Sequence, residues 1–240
     1  MPRLQRLRPK SCAIPQGTAP YHDLKYRDLA QKNRHAVETL QRGTQSKNCN
    51  WGLEYQLGAD APLEHVRKAL ALSRINILYS MHLLQTGNRT VGIRSIAAGI
   101  RFSHDVSKGG PLMAAVAAKT LLTSHLRLVA FAQVEKPLSS DEEKIISSAI
   151  TEIGPGGLDW EMALVRDFEI YSKATSTSLS DLLEQYRQAL RNPDQMPRLR
   201  QTLANAPKAV SSKIPNPQQV LDQKQELDNL LRTTRSALKP

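Results

Sequence analysis

Cysteine is nearly missing from this chain of 240 residues. Cys12 and Cys49 are the only two, which excludes a disulfide framework. They can pair with each other or stay as free thiols, and the sequence leaves both open. Aromatic residues make up only 5%, so aliphatic side chains must carry the packing. The strong catalytic signatures are absent as well. There is no Gly-x-Ser-x-Gly elbow and no His-Glu-x-x-His pair. The cluster Gly154-Pro155-Gly156-Gly157 follows a helical pattern rather than a strand, and no Lys-Ser/Thr pair closes it, so the phosphate-loop reading fails. No stretch reads as a strand. The basic start MPRLQRLRPK is followed by Pro15, Gly17 and Pro20 instead of an apolar run, so no signal peptide is visible. The chain as given is therefore expected to be cytoplasmic, unless its true start lies upstream of Met1.

What is present is helical periodicity. The densest stretch runs from Pro111 to Gln133, where Leu112, Val116, Leu121, Leu122, Leu126, Val129 and Phe131 are interleaved with alanines. A helix apolar nearly all round is normally buried. A membrane span is the rival reading, but Lys119, His125 and Arg127 interrupt the run, and a charge at mid-bilayer costs about 2.5–3.5 kcal/mol. The expected fold is all-α: a helical-hairpin array, tetratricopeptide-like or an irregular bundle, around a central buried helix 111–135. No repeat of fixed period near 34 or 40 residues supports a true tetratricopeptide assignment.

Around that helix the spacing predicts a peripheral helix from His22 to Arg42, on a stripe of Tyr26, Leu29, Ala36, Val37 and Leu40. The alternation of Trp51, Leu53, Tyr55 and Leu57 that follows fits a short strand or an extended segment, and with no partner strand elsewhere the extended segment is expected. Trp51 reads as a structural anchor whose indole N–H needs an acceptor. Asp60 or Ala61 with Pro62 opens the next helix, and Gly87-Asn88 ends it. Ile93 to Phe102 form another stripe, ending near Gly109-Gly110. Ser139 with Glu142, or Ser140 with Glu143, makes a capping box. Asp159 and Ser180 open two further helices. Asn216-Pro217 caps a last one, whose thin stripe of Val220, Leu227, Leu231 and Leu238 suggests loose attachment. The chain divides into a disordered basic N-terminus 1–20, a helical domain 21–191, and a basic C-terminal linker and helix 192–240.

Charge follows the same division. The net charge is +11, with residues 1–35 and 187–240 each at +6 and the middle at −1. Basic ends flanking a neutral body point to solvated tails, or to segments lying near an anionic membrane surface. A nucleic-acid binder would concentrate its charge on a folded face instead.

Several segments resemble one family. They are Cys49-Asn50-Trp51-Gly52-Leu53-Glu54-Tyr55, Leu63-Glu64-His65-Val66-Arg67-Lys68-Ala69, Leu84-Gln85-Thr86-Gly87, Ile100-Arg101-Phe102-Ser103-His104-Asp105 and Gly110-Pro111-Leu112-Met113. Over residues 45–170 they resemble uncharacterised bacterial all-helical proteins that usually carry a membrane anchor before a Cys-x-Trp-Gly segment. The resemblance implies a cell-envelope location and no assigned activity. This chain departs from it in lacking the anchor.

The candidate chemistry is thin. Among the six histidines, His104 with Asp105 sits at a helix end one turn after Arg101. The functional reading is a general base or metal ligand joined by His82 or His125; the structural one is a histidine facing helix carbonyls. Glu161, Asp167 and Glu169 lie on one helix, but the spacing does not place Glu161 and Asp167 on one face, and Arg166 and Asp167 are expected on a solvated one. No cofactor or metal ligand set is apparent. The expected function is that of a non-catalytic helical scaffold or interaction protein with a protein partner. The alternatives are a hydrolase-type enzyme around His104, and a peripheral binder of anionic membrane or nucleic acid through the basic ends.

Overall fold

The computed structural model describes residues 24–46, 49–52, 64–154, 157–175 and 178–238. The expectations for residues 1–20, Cys12, Leu53, Tyr55, Leu57 and Asp60–Pro62 lie outside them. Among the described residues there are eleven α-helices, one 3-10 turn and no strand. We number the helices α1 (Leu24–Lys32), α2 (Arg34–Gly43), α3 (Glu64–Gln85), α4 (Arg89–Ser107), α5 (Leu112–Glu135), α6 (Ser140–Ile153), α7 (Trp160–Thr175), α8 (Ser180–Arg191), α9 (Met196–Asn205), α10 (Lys208–Ser211) and α11 (Pro217–Ala237).

The fold is all-α, and its middle is an up-down-up hairpin array of α3, α4 and α5. Gly87, at φ 84°, turns α3 into α4, and Gly109, at φ 65°, turns α4 towards α5. Helix α6 runs alongside α4 in the same direction, since Arg89 meets Glu142 and Arg101 meets Glu152. The central helix expected at 111–135 is α5, packed against α3, α4, α7 and α11. It shares the centre with α4, which packs against α2, α3, α5 and α6. Among the described residues α5 is the one helix long and apolar enough to cross a membrane, and 61% of its most apolar window is buried in the fold. Burial of that extent belongs to a core helix.

Helix starts follow local chemistry. The Glu142 N–H donates to Ser139 Oγ at 3.4 Å while the Ser139 N–H donates to Glu142 at 3.0 Å, a reciprocal box at the head of α6. Asp159 accepts from the Met162 N–H at 2.9 Å. Asn216 accepts from the Gln218 N–H at 3.0 Å, with Pro217 in the first helical position. Arg89 ties three termini together. It opens α4, pairs with the buried Glu142, and donates to the Lys136 carbonyl at 2.6 Å past the end of α5.

Two expectations need correction. The single helix from His22 to Arg42 is interrupted at Asn33, whose side-chain amide bonds back to the Leu29 carbonyl at 2.8 Å. Asparagine offers the backbone this alternative partner. The break re-aims the stripe: Ala30, Val37 and Leu40 are buried, and Leu29 stays 41% exposed. The C-terminal helix is also held more firmly than its thin stripe suggests. Leu227 and Leu231 of α11 are fully buried in the same core as α5. Polar anchors supply what the stripe lacks: Lys119 bonds to both Gln223 and Glu226, and Arg235 donates to the Gly154 carbonyl at 2.6 Å. The basic C-terminal segment is therefore not a free tail. Arg187 and Arg191 share Glu161, and Lys224 pairs with Asp228.

Candidate functional site

Two polar constellations stand out, one open and one buried. The open one surrounds His104. It is a cleft of about 230 Å³ between the end of α4, the end of α6 and the segment after α2, lined by Thr44, Arg101, His104, Asp105, Lys108 and Glu152 among others. The cations and acids of this cleft are already matched. Arg101 grips Glu152 through two hydrogen bonds of 2.6 and 2.7 Å, and Lys108 holds Asp105 at 2.6 Å. The Arg101 guanidinium holds the Glu152 carboxyl below the usual carboxylate range, with Ser148 adding to it. A carboxylate so engaged is a poor general base. Burial lowers the His104 pKa, Lys108 lowers it further, and Asp105, Glu152 and Asp159 pull the other way. The net direction favours the neutral imidazole of His104.

The segment Cys49–Gly52 walls the same end of α4. The Trp51 indole N–H donates to the Asp105 carbonyl at 2.8 Å, and its ring packs edge-on to Phe102 and against His65 at 5.5 Å. Trp51 is an anchor with its acceptor found. Trp51→Phe is expected to lower unfolding stability by about 1 kcal/mol through loss of that bond, read as a shift in the urea midpoint with the slope unchanged. Cys49 is a free thiol beside it, its pKa raised by burial and then by Asp105. A thiol tuned that way is unreactive.

Neither His82 nor His125 lines the His104 cleft. His125 instead forms the buried constellation, where α5 meets α3 and α4. Its Nδ1 lies 2.9 Å from the Leu121 carbonyl and so carries the proton. That leaves Nε2 as an acceptor for the Asn76 amide at 3.2 Å. The second hydrogen of that amide goes to the Ser95 carbonyl at 3.1 Å, and Ser95 Oγ returns a hydrogen bond to Asn76 Oδ1 at 2.8 Å. Ser103 Oγ donates to the Gly99 carbonyl at 2.7 Å. His125, Asn76, Ser95 and Ser103 are all fully buried, and burial lowers the His125 pKa to about 4. Gly99 makes the approach possible: a Cβ there would sit 2.1 Å from His125 Nε2 and 2.6 Å from Asn76 Nδ2. This constellation is dry, neutral and closed. It fixes the register of three helices and offers no entry for a substrate.

Asp167 was expected on a solvated face, yet it is buried. It accepts from the Leu112 N–H at 3.3 Å, at the head of α5. That helix has Pro111 before it, no side-chain cap and no acid in its first turn. Asp167 supplies the missing negative charge from α7, where the helix dipole favours it. Among the described residues no group of three or more His, Cys, Asp or Glu side chains converges on a possible metal position. No protein-family model, curated protein or solved structure matches the chain.

Proposed function

We propose that this chain is a non-catalytic helical interaction protein, and that the outward face of α5 is its contact surface. The observation that carries the reading is the character of that face. The outer stripe of a surface helix is ordinarily charged. Here Met113 is 61% exposed and Val134 87% exposed, the two most exposed large hydrophobics among the described residues, and both lie on α5. Between them the exposed positions are Thr120, Arg127 and Ala130. A stripe with Arg127 as its one charge, on the most apolar helix of the fold, suits a contact with another protein surface. The matched charges of the His104 cleft support the same reading over a hydrolase. An envelope location rests on the family resemblance alone and is tested by cell fractionation.

The test is site-specific photo-crosslinking in cells, with a photoreactive residue at position 127 and, as a control, at the exposed position 144 on α6. A discrete adduct at 127 and none at 144 is the expected result. No adduct at 127, or turnover of ester or phosphoester substrates that His104→Ala abolishes, overturns the proposal.

A further inference from the structure

The occupant of the α5 face can be named from its own symmetry, on the reading of α5 as a contact surface. We infer that the partner is a second copy of this chain, packed through α5 against α5 in antiparallel orientation. Met113 and Val134 lie roughly 31 Å apart along the helix, given 1.5 Å per residue. The midpoint between them falls between Thr123 and Ser124. The exposed pair Thr120 and Arg127 shares that midpoint. A two-fold axis placed there sets each Met113 against the other copy's Val134, and Thr123 against the other copy's Ser124 at the centre. Thr120 and Ser124 already spend their hydroxyl hydrogens on the carbonyls of Val116 and Thr120, at 3.1 and 3.0 Å. Their outward surfaces are therefore small and undemanding, which lets two helices approach closely.

Charge complementarity selects a second copy over an unrelated apolar helix. Beside the stripe, α5 and α11 form a groove of about 470 Å³, lined by Lys119, Thr123, Arg127, Glu226 and Leu230 among others. Arg127 is exposed and makes no ion pair among the described residues. Glu226 carries one cation, Lys119, and its side chain is still 67% exposed. The dyad brings Arg127 of one copy alongside Thr120 of the other, and hence to the Glu226 that the neighbouring Lys119 holds. The contact is isologous, so that pairing occurs twice.

Sedimentation equilibrium of the purified full chain tests this. A dimer with a dissociation constant in the micromolar range is expected. Thr123→Arg, at the centre, should weaken it by about 100-fold or more. Arg127→Glu should weaken it by about tenfold, and adding Glu226→Lys should restore it. Thr123 is half-buried and Arg127 exposed, and neither holds an ion pair among the described residues, so circular dichroism of Thr123→Arg and Arg127→Glu should match the wild type. Orientation is read from cysteines placed in a chain whose Cys12 and Cys49 are serine. Ser124→Cys should form a disulfide dimer with oxidised glutathione. Val134→Cys should not link to itself but should link to Met113→Cys in a mixture. A monomer at about 100 µM, a dimer indifferent to Thr123→Arg, or self-linking of Val134→Cys overturns the inference. So does Val134-dependent flotation on phosphatidylcholine vesicles, which would put lipid on this face. A chain that stays monomeric while position 127 still yields its adduct in cells leaves the contact surface standing with another partner.

Discussion

Gly99→Ala should cost the fold about 3 kcal/mol or more, although alanine is the better helix former by about 1 kcal/mol. The new methyl carbon has nowhere to go. It would lie 2.1 and 2.3 Å from the His125 ring and 2.6 Å from the Asn76 amide, and both groups are locked in a closed set of hydrogen bonds. Relief requires α3 or α5 to move away from α4, which leaves Asn76 or His125 unpaired in a dry interior at about 1–3 kcal/mol per orphaned group. The same substitution at Gly43 is the control. Nothing lies within 4 Å of a Cβ there, and Gly43→Ala should be neutral or stabilise by up to about 1 kcal/mol. Urea unfolding of both variants checks the prediction. Equal effects at the two sites would mean that α3, α4 and α5 are not packed this closely.

Acid should destabilise the protein between pH 6.5 and 4, with His125 as the main cause. In the unfolded chain His125 takes a proton near pH 6.5, whereas in the fold burial delays protonation to about pH 4. Its contribution is fully present above pH 6.5 and is lost as pH falls through that window, by about 3 kcal/mol. Burial moves His65, His82 and His104 in the same direction. Asp167 opposes them. Burial pushes its carboxyl up to about 6, against one hydrogen bond from Leu112 that favours the charged form. The folded state then takes up a proton between pH 6 and 4 that an unfolded carboxylate does not, so Asp167 gains stability for the fold as pH drops. The dipole of α5 favours the charged carboxylate, so this gain is smaller than the loss at His125. Stability measured by urea unfolding from pH 7 to 4 should fall. His125→Gln should flatten the profile and Asp167→Asn should steepen it. A His125→Gln profile parallel to the wild type would show that this ring is not the acid-sensitive group.

The parts of the fold legible in the sequence were those written in neighbouring residues. Ser139 and Glu142 announce a helix start three residues apart, Asn216-Pro217 does so in two, and the buried α5 shows in its density of leucine and alanine. The Asn33 break is hidden in the sequence because its alternative hydrogen bond competes with a helix pattern that continues on either side. Gly99 reads in sequence as a weak point inside a helix, and only the approach of Asn76 and His125 turns it into a requirement. Serines 73, 80, 95 and 103 look solvent-facing by type, yet all are buried at helix contacts. Asp167 and Leu112 are far apart in sequence, so an acid serving another helix's first turn gave no local signal. His104 stands out in the sequence because it adjoins Asp105, but Asp105 belongs to Lys108. The groups that could have assisted His104 were claimed by partners that spacing alone does not reveal.

The nitrogen-15 shifts of the His125 ring, followed by NMR from pH 7.5 to 4, test the central packing most directly. A pyrrole-type Nδ1 and a pyridine-type Nε2, unchanged until close to pH 4, are what a dry ring held between Leu121 and Asn76 should give. The Nε2-protonated tautomer, or titration near pH 6.5, would place water at the junction of α3, α4 and α5 and contradict the packing that defines this fold.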